Sequence, residues 1–177
     1  MRIIVTILLV CIVPAVRGAD EENPFKNAKV GDWVEYKIIG SAVEGKTKMT
    51  ILAKDDKAAT YEVTTSISFM GKESTGPAQT KKIDLTKSYD AISAANLNKD
   101  AVKIEKQGNG MEKLKIGDKE YDTTWTKLKA TSTGKIVMEM DYKMWFSKDV
   151  PLSGMVKMET TWPGTTVKLE MIGSGRK

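Results

Sequence analysis

The sequence predicts a mainly β fold, a curved antiparallel sheet or half-barrel of about ten strands with one short helix. Three observations predict it. Apolar and polar residues alternate with period two through much of the chain, as in Tyr61, Val63, Thr65, Ile67 and Phe69 against Glu62, Thr64, Ser66 and Ser68. The alternating runs are separated by short segments rich in Gly, Asp and Asn, which suit antiparallel neighbours, whereas parallel strands need long crossovers. Only residues 88–97, with their alanines and a cap at Ser88 or Asp90, have the composition of a helix.

The first strand is predicted over 30–38, where Val34, Tyr36 and Ile38 share a face. A loop over 40–45 leads to a second strand over 46–53, with Met49 and Ile51 pointing together. Asp55, Asp56 and Lys57 form a turn into the third strand, over 61–69. Gly71, Gly76 and Pro77 mark 70–80 as a loop before a short strand over 81–85. After the helix candidate, 102–106 and 112–116 read as a hairpin closed by Gly108-Asn109-Gly110. Gly117-Asp118 then turns the chain into a strand over 119–131, where Tyr121, Thr123 and Trp125 share a face. Two last strands, over 155–161 and 166–172, flank the turn Trp162-Pro163-Gly164.

Between these lies the most patterned strand of the chain, over 135–146. Ile136, Met138, Met140, Tyr142, Met144 and Phe146 fall on one face, and Lys135, Glu139, Asp141 and Lys143 on the other. Burying each large apolar side chain gains about 1.5–3 kcal/mol. Each alternates with a solvent-facing residue whose backbone must also be ordered, at about 1–2 kcal/mol per residue. Such a strand is not stable alone and needs neighbours that bury their own faces against the same core.

The N-terminus reads as a secretory signal over residues 1–19: Arg2, an apolar run from Ile3 to Val16, and the small-residue exit Gly18-Ala19. The run is too short to span a bilayer comfortably. The expectation is therefore an exported protein, periplasmic or secreted, with no transmembrane span after removal of the signal. A polar lead-in over 20–28 precedes a single antiparallel β domain over 29–173, and 174–177 form a flexible tail. Val10 before Cys11 departs from a lipid-attachment box, and Cys11 is the only cysteine of the chain. The mature protein then has no disulfide.

Loss of Arg2 and Arg17 leaves 26 of the 28 basic residues against 23 acidic ones, an excess too small to call for a polyanion partner. All cations except Arg2, Arg17 and Arg176 are lysines, whereas bidentate phosphate and base-edge recognition favours arginine. Lysines interleaved with apolar residues, as in Lys113-Leu114-Lys115-Ile116, mark the solvated face of a sheet, and no nucleic-acid partner is expected.

There is no histidine. Imidazole catalysis, His-ligated metals and Ser-His-Asp or Cys-His nucleophile systems are excluded with it. Asp55-Asp56 and the group Asp118, Glu120 and Asp122 could offer carboxylates to a hard cation, but neither has the spacing of a calcium loop, and turns or a solvated face account for both. No phosphate-binding glycine motif is present. The expectation is a non-enzyme without metal or cofactor. The suggestive constellation is apolar: of ten methionines, Met138, Met140, Met144, Met155, Met158 and Met171 lie in the closing block. Methionine adapts to irregular partners. A concave face lined by Trp125, Ile136, Met138, Met140, Tyr142, Met144 and Phe146 would accept a lipid or other hydrophobic ligand. The alternative is a methionine-rich filled core, in a structural or protein-interaction module of the cell envelope.

Two segments, Gly31-Asp32-Trp33-Val34-Glu35-Tyr36 and 145–158 with its Lys148-Asp149-Val150-Pro151-Leu152 corner, give the chain a resemblance to a group of exported bacterial proteins of unknown function. The order of a strand ending in Trp, a Pro-containing corner and a Lys-bearing strand is also similar to the periplasmic lipoprotein carriers typified by the LolA half-barrel. That resemblance implies acyl-chain binding on the concave side of a curved sheet covered by helices. The chain departs from the class in starting with a strand where the carriers have a helix.

Overall fold

The computed structural model describes residues 23–88, 102–132 and 138–176. The secretory signal, all of the helix candidate except Ser88, and Ile136 lie outside the described residues. The described chain forms β1 (Trp33–Gly40), β2 (Val43–Lys54), β3 (Ala58–Phe69), β4 (Lys72–Thr75), β5 (Gln79–Asp84), β6 (Val102–Ile116), β7 (Lys119–Ser132), β8 (Glu139–Phe146), β9 (Met155–Trp162) and β10 (Thr165–Gly175), preceded by a 3₁₀ turn at Pro24–Asn27. No helix among the described residues is long and apolar enough to cross a membrane.

All ten strands join one antiparallel sheet in the order β4-β3-β2-β1-β10-β9-β8-β7-β6, and β5 pairs with β3 beside β4. The mainly β, antiparallel architecture expected from the alternation is the one observed. Short turns build the meanders on either side, and the first and last strands meet in the middle, where Tyr36 faces Met171 and Ile38 faces Leu169. The sheet curls without closing. Strands β6 and β10 are four steps apart, about 19 Å in a flat sheet at about 4.8 Å per step, yet their Cα atoms approach within 8 Å.

The inner face holds one apolar cluster. Register places Met49, Val34, Tyr36, Leu169, Met158, Met144 and Leu128 on it, two of them from β1 and one from each of the other five strands. One end of this face is plugged. Phe25 of the 3₁₀ turn is fully buried and stacks on Tyr61 with ring centroids 5.7 Å apart. Asn23 holds that turn in place, its amide donating to the carbonyls of Asp84 and Lys87 and its Oδ1 accepting from the Phe25 N–H. The corner after β8 completes the plug with Val150 and Leu152, and it is closed by a bond from Ser147 N–H to the Gly154 carbonyl at 2.8 Å. At Gly154 φ is +71°, and a side chain there would meet the Ser147 carbonyl at 3.0 Å, so this position suits glycine alone.

Several local expectations are corrected. Gly108-Asn109-Gly110 is not a hairpin turn: β6 runs through it, and the turn lies at Gly117-Asp118. The glycines serve packing instead, because the Trp125 indole lies across them from β7. Residues 72–75, expected in a loop, add a fourth strand to the edge of β3. These two differences cancel in the count of strands. Strand β2 begins at Val43, inside the expected loop, because Val43 pairs with Phe69. Ser174 and Gly175, expected in a free tail, pair with Val34 and Trp33.

Candidate functional site

The predicted stripe on β8 changes character along its length. Phe146 and Met144 are sealed in the core, Tyr142 and Met140 are half-buried, and Met138 is 51% exposed. Antiparallel pairing explains where this gradient leads. The half-buried part of β8 lies level with Leu128 and Ala130 of β7, Thr160 of β9, Val167 of β10 and Gly40 of β1, which Val43 of β2 adjoins, all at the end away from the plug. Val43, Ile104, Tyr142 and Trp162 at this end are partly buried apolar residues packed against the core, as are Ile38, Val63, Leu114 and Ile116 elsewhere on the sheet. Away from the stoppered end the level of Thr160 and Leu128 is still buried, and along β8 the apolar lining then continues past it through Met140 to the exposed Met138.

Trp125 does not join this face. It pairs with Trp145, one residue out of phase with Met144 and Phe146, so both indoles lie on the outer face. There Lys143 Nζ sits 4.7 Å from the Trp125 ring centroid and 4.5 Å from that of Trp145, and Lys157 Nζ lies 5.3 Å from the Trp145 centroid. Glu112 accepts hydrogen bonds from the Trp145 indole N–H and from Lys143 Nζ, the latter at 3.2 Å. The indole bond first, then the lysine, holds the Glu112 carboxyl below the ordinary glutamate range. Burial disfavours the Lys157 cation, but Glu159 and Glu170 outweigh it and raise its pKa. These charges are mutually satisfied and their arrangement serves the sheet.

At the open end one group stands out chemically. Thr160 is 1% exposed. Among the buried side-chain nitrogens and oxygens of the described residues, its Oγ1 is the one without a hydrogen-bond partner. An unpaired hydroxyl in an apolar setting costs about 1–3 kcal/mol, so it asks for an explanation. Tyr142, directly opposite on β8, donates its hydroxyl to the thioether of Met140 at 3.4 Å, a weak acceptor. Burial pushes the Tyr142 hydroxyl above the ordinary phenol range, so it stays a neutral donor at physiological pH.

A concavity lies outside the plug, a cleft of about 540 Å³ between the 3₁₀ turn, the corner and Arg176. Four buried polar side chains line it: Asn23, Asp32, Ser147 and Ser153. Their partners are structural. Asp32 accepts from the Lys29 N–H at 2.9 Å, and the Ser153 hydroxyl lies 3.5 Å from that of Tyr36. The Tyr36 hydroxyl donates to the Met155 carbonyl at 3.0 Å, and burial raises its pKa well beyond the ordinary phenol range despite the Ser153 contact. The two segments that carry the resemblance, Gly31 to Tyr36 and the corner, thus meet in space and brace each other. With Asp32 as its single carboxylate among the described residues, the cleft does not assemble the acid pair that a two-carboxylate glycosidase needs.

The other candidate carboxylates have local duties. Asp55 Oδ1 accepts from the N–H groups of Lys57 and Ala58, which lowers its pKa and shapes the β2–β3 turn. Lys113 pairs with Glu120 at 2.9 Å and Asp122 at 3.6 Å. Among the described residues no group of three or more Cys, Asp or Glu could hold a metal ion. No protein-family model matches the chain, and no curated protein matches it. Sequence reasoning missed Thr160, although the signal was available: it is a polar residue at inner parity between Met158 and Trp162.

Proposed function

We propose that this is an exported, non-catalytic binding protein that holds a lipid or other hydrophobic ligand against the open end of its concave face. Ligand binding is supported by one observation above the rest: the apolar lining that is sealed at Met144 and Phe146 continues through Tyr142 and Met140 to the exposed Met138. A face that served only as core would end its apolar pattern where the core ends, because exposing large apolar side chains forfeits the stabilisation that burying them brings. Methionines at this boundary adapt to an acyl chain at little cost. Export is supported by the charge, apolar run and small-residue exit of residues 1–19.

The competing reading, a structural module of the cell envelope, draws on the filled half of the same face. Native mass spectrometry of protein purified without detergent, before and after delipidation, separates the two. Co-purified acyl species that delipidation removes are the expected result. A single bare mass in both samples would favour the structural module.

A further inference from the structure

We infer that Thr160 is the polar anchor of the proposed ligand site and that the ligand is a neutral amphiphile, an apolar chain carrying an uncharged carbonyl such as a long-chain ester. This rests on the open end of the concave face being a ligand site. Thr160 is buried to 1% exposure, and its hydroxyl has no partner among the described residues. The side chains around it in the sheet are Tyr142 and Val167 directly opposite and Met158 and Trp162 two residues away on its own strand. None is charged. An ionised headgroup here would lose its hydration without an opposing charge, whereas a carbonyl oxygen needs only a donor. Two hydroxyls can supply one: Thr160, which has no acceptor, and Tyr142, which exchanges a thioether sulfur for a stronger acceptor. Met140 lies diagonal to Thr160 and accepts from the Tyr142 hydroxyl, and its flexible thioether can give way as the chain enters.

The test uses displacement of N-phenyl-1-naphthylamine from the mature protein by methyl decanoate, undecane and decanoate at pH 8, each delivered from cyclodextrin. Methyl decanoate is expected to compete best. Thr160→Val keeps the shape of the side chain and removes the hydroxyl, so it should weaken methyl decanoate roughly two- to tenfold and leave undecane unchanged. Thr160→Ser should restore the ester. Thr160→Ala provides a second hydroxyl-free variant, and thermal melts by circular dichroism establish that each variant is folded. An unchanged ester affinity in folded Thr160→Val and Thr160→Ala, or tighter binding of decanoate than of its methyl ester, would overturn the inference while leaving a ligand site standing. Failure of the dye and all three competitors to bind wild-type protein would overturn the ligand site itself, and the anchor with it.

Discussion

The Trp125 indole lies so close over Gly110 on the neighbouring strand that a Cβ at residue 110 would sit 2.9 Å from three of its ring atoms. This contact explains why a glycine pair interrupts a strand that has no turn there. The indole covers a stretch of backbone that no side chain of β6 occupies, and Lys143 covers the indole in turn. Gly110→Ala is expected to destabilise the fold by about 1–3 kcal/mol, through displacement of the ring. Urea denaturation measures the loss. In a Trp125→Ala background the same substitution should cost little, and an undiminished cost there would show that backbone entropy or strand geometry, rather than the indole, demands the glycine.

Tyr36 joins the first strand to the corner after β8 through its bond to the Met155 carbonyl. Tyr36→Phe preserves the ring and leaves that buried carbonyl short of a donor. A loss of about 1–3 kcal/mol in urea denaturation is expected, with faster amide exchange concentrated at Ser147 to Met155. Exchange unchanged at the corner would mean that the hydroxyl does not brace it.

The two ends of the β8 stripe should respond differently to the same substitution. Met144 is fully buried, and Met144→Asp places an unpaired carboxylate in the core, which should abolish cooperative folding. Met140 is half-buried at the open end, so Met140→Asp should leave a folded protein that no longer takes up hydrophobic ligand. Circular dichroism with dye binding checks both. A folded Met140→Asp protein that binds as well as the parent would remove the open end from consideration.

The Glu112 carboxyl supplies a pH dependence whose sign follows from its partners. Because the Trp145 indole and Lys143 depress its folded-state pKa, its contribution is fully present above the unfolded value of about 4.3 and disappears as pH falls through the depressed folded value. Glu112→Gln should therefore flatten the fall in urea midpoint between pH 5 and pH 3. Tryptophan emission should track the same titration, since Trp145 loses its charged acceptor. A slope equal to that of the parent would show that Glu112 is not coupled to folding.

Some of this architecture was legible in the residues alone. Period-two alternation is a local property, set by side chains leaving a strand on opposite sides, so β1, β3, β7 and the last two strands were readable. So were the exclusions that follow from having no histidine. Gly108-Asn109-Gly110 misled because a glycine pair has the same local meaning in a turn and beneath a packed indole. Only the pairing of β6 with β7 distinguishes them.

The sequence by itself determined a mainly β, antiparallel protein with an apolar face rich in methionine, because strand periodicity and turn chemistry act over a few residues. Tertiary structure decided which part of that face became core. The plug of Phe25, Val150 and Leu152 closes one end of the curl, and register alone sends Trp125 outward and sets Thr160 opposite Tyr142. These are relations between residues as far apart in the chain as Phe25 and Leu152, and a one-residue change in pairing would have sent Trp125 inward and Thr160 outward.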